Sequence, residues 1–94
     1  MQPFLLFSSD EKTGAEDFFK EGLKYYQKKE YKKAAPFIKK AAESGHSDAQ
    51  MHLGKMYFNG WGIRHDHEEA KRWHEKAADQ GNKESIEKLK KFKH

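Results

Sequence analysis

Lys40-Ala41-Ala42-Glu43-Ser44-Gly45 returns 36 residues later as Lys76-Ala77-Ala78-Asp79-Gln80-Gly81. The match extends upstream at the same lag, where Tyr31-x-x-Ala34-x-x-Phe37 lies over His67-x-x-Ala70-x-x-Trp73. Further upstream, Gly22-x-x-Tyr25 lies over Gly54-x-x-Tyr57 at a lag of 32. The difference between the two lags falls on Asn59-Gly60-Trp61-Gly62-Ile63, which lengthens the turn inside the second unit. Each unit therefore reads as a pair of helices, A then B, of the size that buries its core only by stacking on a neighbour.

Composition agrees with a helical reading. The chain has 94 residues, 36% charged and 35% hydrophobic, enough for one small domain with a thin core and too few for a deep enclosed cavity. Valine is absent and Thr and Ile are scarce, which leaves little that favours strands, while Ala, Lys, Glu and Leu favour helix. Leu, Ile and Phe fill only 15 positions, a level that signals disorder when the apolar residues are scattered. Here they are periodic: Tyr31, Ala34, Ala35, Ile38, Ala41 and Ala42 follow the spacing of one buried helix face. The expected fold class is all-α.

No cysteine is present, which excludes a disulfide-stapled domain and a thiolate metal site. The start, from Met1 to Ser9, carries a four-residue apolar run behind Pro3 and no basic stretch, far short of a signal peptide or a membrane span. No membrane association and a cytoplasmic location are the expectations. The net charge of +4 comes from 17 Lys and 2 Arg set among 15 acids, and reads mostly as solvated helix surface.

Helix punctuation divides the chain in the same places. Thr13-x-x-Glu16 is a capping box for helix A of the first unit, Ser47-x-x-Gln50 for helix A of the second, and Asp66-x-x-Glu69 for its helix B. Gly45 and Gly81 stand where a left-handed residue ends each helix B. Gly22 and Gly54, at equivalent positions inside helix A, each cost about 1 kcal/mol in helix propensity and so mark a close approach to helix B. Pro36 inside the first helix B predicts a kink or a late helix start. The stripe Glu84, Ile86, Leu89 and Phe92 among lysines predicts a basic terminal helix covering the last repeat.

These residues resemble Sel-one-like repeats, relatives of tetratricopeptide repeats. In the second unit the run Ala49-Gln50-x-x-Leu53-Gly54-x-x-Tyr57-x-Asn59-Gly60-x-Gly62-Ile63, followed by Asp66, Ala70, Trp73, Ala77, Ala78 and Gly81, follows that pattern nearly throughout. The first unit lacks the glycine turn and is similar to a plain tetratricopeptide repeat. The expected organisation is an extended segment over residues 1–14, repeat one over 15–46, repeat two over 47–82 and a basic capping helix over 83–94.

The resemblance implies an α-solenoid whose A helices line a concave face that holds another protein, with no catalysis and no cofactor. The positions it assigns to partner binding are Phe19, Lys20, Leu23, Tyr26 and Gln27 in the first helix A, and Met51, His52, Lys55, Phe58 and Asn59 in the second. The residues point the same way, because Phe19, Leu23 and Tyr26 lie on a different face from Phe18, Gly22 and Tyr25. A helix apolar on two faces packs against two things. One is helix B; the other is either a partner or the chain's own Phe4-Leu5-Leu6-Phe7 folding back. Trp61, between two glycines, is either a plug against Trp73 or Tyr57 or a projecting anchor.

Other chemistries fare worse. His65, His67 and His74 form the densest imidazole set, but on one helix His67 and His74 are separated by a rise of about 10 Å, too far to share a metal ion. Both align with core positions of the first unit, Tyr31 and Ile38, so one of them is expected to titrate in a packed face and weaken the fold in mild acid. Every serine falls at a cap or loop and no nucleophile stands beside a base, which argues against hydrolysis. Nucleic-acid binding through the lysines is the alternative, disfavoured by the scarcity of Arg and the lack of a reading motif. The expected function is a non-catalytic adaptor for a protein partner, an acidic one being favoured by the lysines, in the manner of a scaffold, chaperone or toxin-neutralising immunity protein. The chain is expected as a monomer or a dimer.

Overall fold

The computed structural model describes the backbone of residues 2–92 and the side chains of residues 14–92. Five helices follow one another: α1 (Gln2–Gln27), α2 (Tyr31–Glu43), α3 (Ser47–Asn59), α4 (His67–Asp79) and α5 (Lys83–Phe92). Each helix packs against its chain neighbour, which is the connectivity of a helical solenoid, and the fold is all-α. Helices α1 and α3 are the A helices, α2 and α4 the B helices.

The core lies where the periodicity put it. On α2, Ala34, Ala35, Ile38, Ala41 and Ala42 are buried, and on α3 Ala49, Leu53 and Met56 meet them. Alanine along α2 brings the backbones close, and the glycines of the A helices bring them closer. A Cβ built on Gly22 would lie 2.8 Å from Ile38 Cδ1, and one on Gly54 would lie 2.7 Å from His74 Nε2. Both glycines are therefore contact points between an A helix and its B partner.

Four helix ends share one device. After α1, α2, α3 and α4 the backbone N–H two residues past the last turn bonds to the carbonyl five residues back: Glu30 to Tyr25, His46 to Ala41, Trp61 to Met56 and Asn82 to Ala77. The residue before each of these donors is left-handed: Gly45, Gly60, Gly81 and, after α1, Lys29 at φ 64°. Lysine has no business there on steric grounds, so the first turn carries strain that a glycine would remove.

The helix starts depart from the expected caps in two of three places. Asp66 caps α4 as expected, accepting from the N–H groups of Glu68 and Glu69. Helix α3 is capped by His46 rather than Ser47: His46 Nδ1 accepts from the Ala49 N–H while Nε2 donates to the Glu16 carboxylate at 2.9 Å. Gln50, freed from the cap, is buried and donates to the Ala42 carbonyl of the first repeat. The capping box at Thr13 caps nothing, because α1 begins at Gln2 and passes through that position.

The stretch expected as extended over residues 1–14 is thus helical from Gln2 in its backbone. Pro3 sits in the first turn, where its missing N–H costs no hydrogen bond, and a single glycine at Gly14 does not stop a helix. The fold-back of Phe4 to Phe7, and a dimer built on that run, concern side chains outside the described residues.

Pro36 neither delays nor interrupts α2, which runs unbroken from Tyr31. The carbonyl it leaves without a donor belongs to Lys32, and both residues lie on the exposed side, where water can satisfy the orphaned group.

Two substitutions of opposite sign test these contacts. Gly54→Ala should lower stability by about 1–3 kcal/mol despite the better propensity of Ala, because a rigid imidazole occupies the space. Lys29→Gly should raise it by about 1 kcal/mol as the left-handed strain is relieved. Urea midpoints with unchanged slopes would give both values.

Candidate functional site

The A helices place one set of side chains on a common face. From α1, Phe19 stacks on His46 at 4.5 Å and meets His52 edge-on at 5.4 Å. Tyr26 meets His52 edge-on at 4.8 Å and Tyr31 at 5.3 Å. From α3, Lys55 pairs with Glu84 of α5 at 2.6 Å, and Phe58 stacks on His67 at 4.7 Å and touches Phe92 at 5.6 Å. The face therefore runs from α1 across α3 to α5.

The ten residues assigned to it are unequal. Phe19 and Met51 are only 8% and 7% exposed and belong to the core, so they support the surface and offer a partner little area. Leu23, Tyr26, His52 and Lys55 are half-buried, while Lys20, Gln27 and Asn59 are exposed. Phe58, at 44% exposure, is one of two large apolar side chains left open among the described residues. Asn59 donates its side-chain N–H to the Lys55 carbonyl, which fixes the amide at the end of α3.

Helix α5 joins this face as an incomplete third A helix. Asn82 Oδ1 accepts from the Ser85 N–H at 2.9 Å, matching the cap that His46 gives Ala49. Ser85 is buried where Ala49 is buried, and Leu89 falls over Leu53. Ile86, expected to lie on the apolar stripe, instead stands 41% exposed; it occupies the position of Gln50, which in the second repeat is buried against the Ala42 carbonyl and the Gln80 side chain. The sequence reading missed Glu84, Lys88 and Phe92 as members of the face; the lag of 36 continued into α5 places Lys88 over His52, but Glu84 and Phe92 fall over Asp48 and Met56 and carry no such signal.

Trp61 plugs the long turn, but against the preceding repeat. Its ring stacks on Tyr31 at 4.9 Å and meets Tyr26 at 6.2 Å, not Trp73 or Tyr57. Gly62 makes this possible, since at φ 73° its Cα lies flat on the Tyr31 carbonyl, where a side chain would collide. Tyr31 thus receives Trp61 of the next repeat beside Tyr26 of its own, a pairing the sequence alone does not show.

The two histidines aligned with core positions separate in the structure. His67 is exposed at the start of α4, a correction to its expected core role, because the first residue of the helix has no turn above it to bury its ring. His74 is buried, 1% exposed, with Nδ1 at 3.1 Å from Ser85 Oγ. Among the described residues no group of three His, Cys, Asp or Glu gathers to hold a metal ion.

The electrostatics of the face are those of half-dry groups beside lysines. Burial lowers the His74 pKa to about 4, with Lys88 and Lys55 adding to the shift. His52 is lowered in the same way by burial, and Lys55 adds to this against the opposing hydrogen bond to the Asp48 carbonyl. Burial, with Tyr31 and Glu84 nearby, raises Tyr26 to about 12. Glu84 is lowered by the hydrogen bond from Lys55. At neutral pH the face thus presents neutral imidazoles, neutral phenols and cationic lysines.

His74 ties this field to stability. Its folded pKa of about 4 lies below the ordinary 6.5, so between those values the unfolded chain binds the extra proton. Stability is full above pH 6.5 and declines as the pH falls toward 4, by on the order of 3 kcal/mol in all. Urea midpoints taken at steps between about pH 7 and pH 4.5 should show the decline, and His74→Leu should flatten most of it; a midpoint constant over that range would refute the assignment.

Comparison with known proteins agrees with the geometry. The Sel1 repeat family pattern matches residues 14–46 and 47–82. An exopolysaccharide production negative regulator of Rhizobium leguminosarum bv. viciae is 35% identical over 69 residues, 73% of this chain and 26% of that protein. A sel1-like repeat-containing protein of Acanthamoeba polyphaga mimivirus is 44% identical over 46 residues, 49% of this chain and 8% of that protein. Among solved structures, a Sel1 repeat protein from Oxalobacter formigenes superposes with a TM-score of 0.80 at 34% identity, covering 87% of this chain and 25% of that one. A protective antigen present in uropathogenic Escherichia coli strains, displaying an SLR fold, gives a TM-score of 0.75 at 30% identity over 87% of this chain and 19% of that one. This chain spans about a quarter or less of the length of these relatives. With two repeats matched and the same helical stack in the solved relatives, the chain belongs to the Sel1 repeat family.

Proposed function

We propose that the chain is a non-catalytic adaptor that binds a protein partner on the face formed by α1, α3 and α5. Sel1 repeats are typically protein-interaction modules rather than catalytic ones, and this is the coarse statement that family membership supports. The observation that carries the finer reading is the row of accessible aromatic and cationic side chains running Leu23, Tyr26, His52, Lys55 and Phe58 across two repeats.

A physical division of labour follows. Phe58, Leu23 and Tyr26 supply apolar area that loses water on docking, while the buried Phe19 and Met51 offer little. Lys20, Gln27, Lys55 and Asn59 form a polar rim that orients the partner, and the lysines speed the encounter with an acidic surface. The rings are pre-packed against His46, His52 and Tyr31, so little side-chain freedom remains to be lost on binding. The Rhizobium relative is named a negative regulator, which supports a role in which occupancy of a partner is the output. A scaffold or a toxin-neutralising protein would use the same face. No helix among the described residues is long and apolar enough to cross a membrane.

Affinity capture at low and moderate salt, with and without nuclease, tests this reading when run on wild type beside Phe58→Asp and Leu23→Asp. The expected result is one stoichiometric protein that survives moderate salt and nuclease and is lost with both variants while far-UV circular dichroism stays unchanged. Met51→Asp, by contrast, should lose helicity because its side chain is core. Retention of nucleic acid that disappears with salt, or a partner indifferent to both face variants, would overturn the assignment.

A further inference from the structure

Between α3 and α5 lies a cavity of about 120 Å³. Drug-sized ligands and cofactors occupy roughly 300–1,000 Å³, so this space fits one amino-acid side chain and little more. Its apolar walls are the rings of Phe58 and Phe92, held edge-to-face at 5.6 Å. Lys55, Lys88 and Lys91 stand around it, with the Asn59 amide at one end.

The charge around the cavity is unbalanced. Glu84 is ion-paired with Lys55 at 2.6 Å and also lies in the field of Lys88. Lys88 and Lys91 have no ion-pair partner among the described residues. Lys88 is half-buried, so its ammonium acts through a drier medium than a fully exposed lysine and its field is screened less by salt. That field reaches His74 in the lining, whose protonated form is disfavoured first by burial and then by Lys88 and Lys55. Burial favours no charge of either sign, but the lysine part of the field favours an anion at the open side of the cavity.

The combination of a one-side-chain volume, two aromatic walls and two uncommitted ammonium groups selects among occupants. An aliphatic side chain fills the walls and leaves the lysines unused; a phosphate uses the lysines and leaves the walls dry and empty. A glutamate does both, with its methylenes on Phe58 and Phe92 and its carboxylate between the ammonium groups. We propose that this cavity is a receptor for a single glutamate side chain, presented beside an apolar residue by an extended acidic segment of the partner protein. The proposal deepens the adaptor reading and rests on it: the cavity is the part of the face that sets which segment of a partner is held.

Selection of random peptides displayed on phage against the full chain at low salt, followed by sequencing, tests it. The expected outcome is enrichment of glutamate next to an apolar residue, with synthetic versions of the enriched peptides losing about tenfold or more in affinity on Lys88→Glu plus Lys91→Glu. The same double variant should select basic peptides in a second round, a reversal that a merely unfolded protein cannot give. Lys91→Gln, at an exposed position that leaves the packing intact, should weaken the peptide by a smaller factor. Three results would each overturn the proposal: no peptide enriched, enriched peptides without an acidic preference, or equal binding to wild type and the double variant. Displacement of the peptide by an oligothymidine strand through the same lysines, without any preference for glutamate over aspartate, would point to a phosphate site instead and also overturn it. Failure of the adaptor reading is seen separately, in the capture of folded partners by the Phe58 and Leu23 variants; a partner lost with those variants but indifferent to Lys88 and Lys91 keeps the adaptor and removes the glutamate receptor.

Discussion

The imidazole of His74 lies where a side chain on residue 54 would have to be, and the missing Cβ of Gly54 is what admits it. This one close approach sets the distance between α3 and α4, as Gly22 against Ile38 sets it between α1 and α2. Both glycines weaken their own helices by about 1 kcal/mol, and the cost is offset by the packing that close approach permits. Where His74 sits also decides what else it meets: Ser85 on one side, and on the other the cavity bounded by Lys55 and Lys88. Hairpin geometry, the anchorage of the last helix and the electrostatics of the binding face thus share one contact.

The joint between repeats adds polar bonds to the apolar seam where Ala49, Leu53 and Met56 meet the buried face of α2. Gln50 donates to the Ala42 carbonyl and accepts from Gln80, which also donates to the Gly45 carbonyl. Asn82 reaches Ser47 and Asp48. Directional bonds of this kind fix the rotation of one unit on the next more sharply than alanine contacts do, because a buried amide out of register loses its partners at about 1–3 kcal/mol each. Trp61 adds an apolar latch by stacking on Tyr31 of the previous unit. The outcome is that α1, α3 and α5 present their side chains on one continuous face.

That face carries more cation than its composition suggests. The chain as a whole is near balance, with 19 basic and 15 acidic residues, and the exposed pairs Lys24 with Glu21, Arg72 with Glu69 and Lys90 with Glu87 cancel locally. Around Phe58 and Phe92 the cancellation is incomplete, since Glu84 is ion-paired with Lys55 and is the same carboxylate that lies in the field of Lys88. The neutral state of His52 and His74 is the counterpart of the same imbalance: desolvation and neighbouring lysines both act against protonation. Recognition and acid sensitivity therefore share residues, and a partner carboxylate would relieve part of the strain that burial places on His74.

Periodicity, lag and turn glycines determined the helix count, the repeat pairing and the apolar faces of α2 and α4, because backbone hydrogen bonding and side-chain period are local properties that the chain order fixes. Gly22, Gly54, Gly45, Gly81 and Asp66 were legible for the same reason: each meets a local steric or capping demand. What needed the third dimension was everything set by a neighbour distant in sequence. His46 displaced Ser47 as the cap because Glu16, thirty residues away, fixes its ring. Phe19 sank into the core because His46 and His52 pack on its ring, and Met51 is buried too, although their spacing alone suits an open face. His67 and His74, each aligned with a core position of the first unit, parted because one opens a helix and the other faces Gly54 and Ser85. The terminal helix read as a cap, and only its packing on α4 and its salt bridge to Lys55 made it part of the binding face. Sequence order specifies which helices form and which side of each is apolar; which of those apolar residues remain open to a partner is decided by the depth at which the next repeat docks.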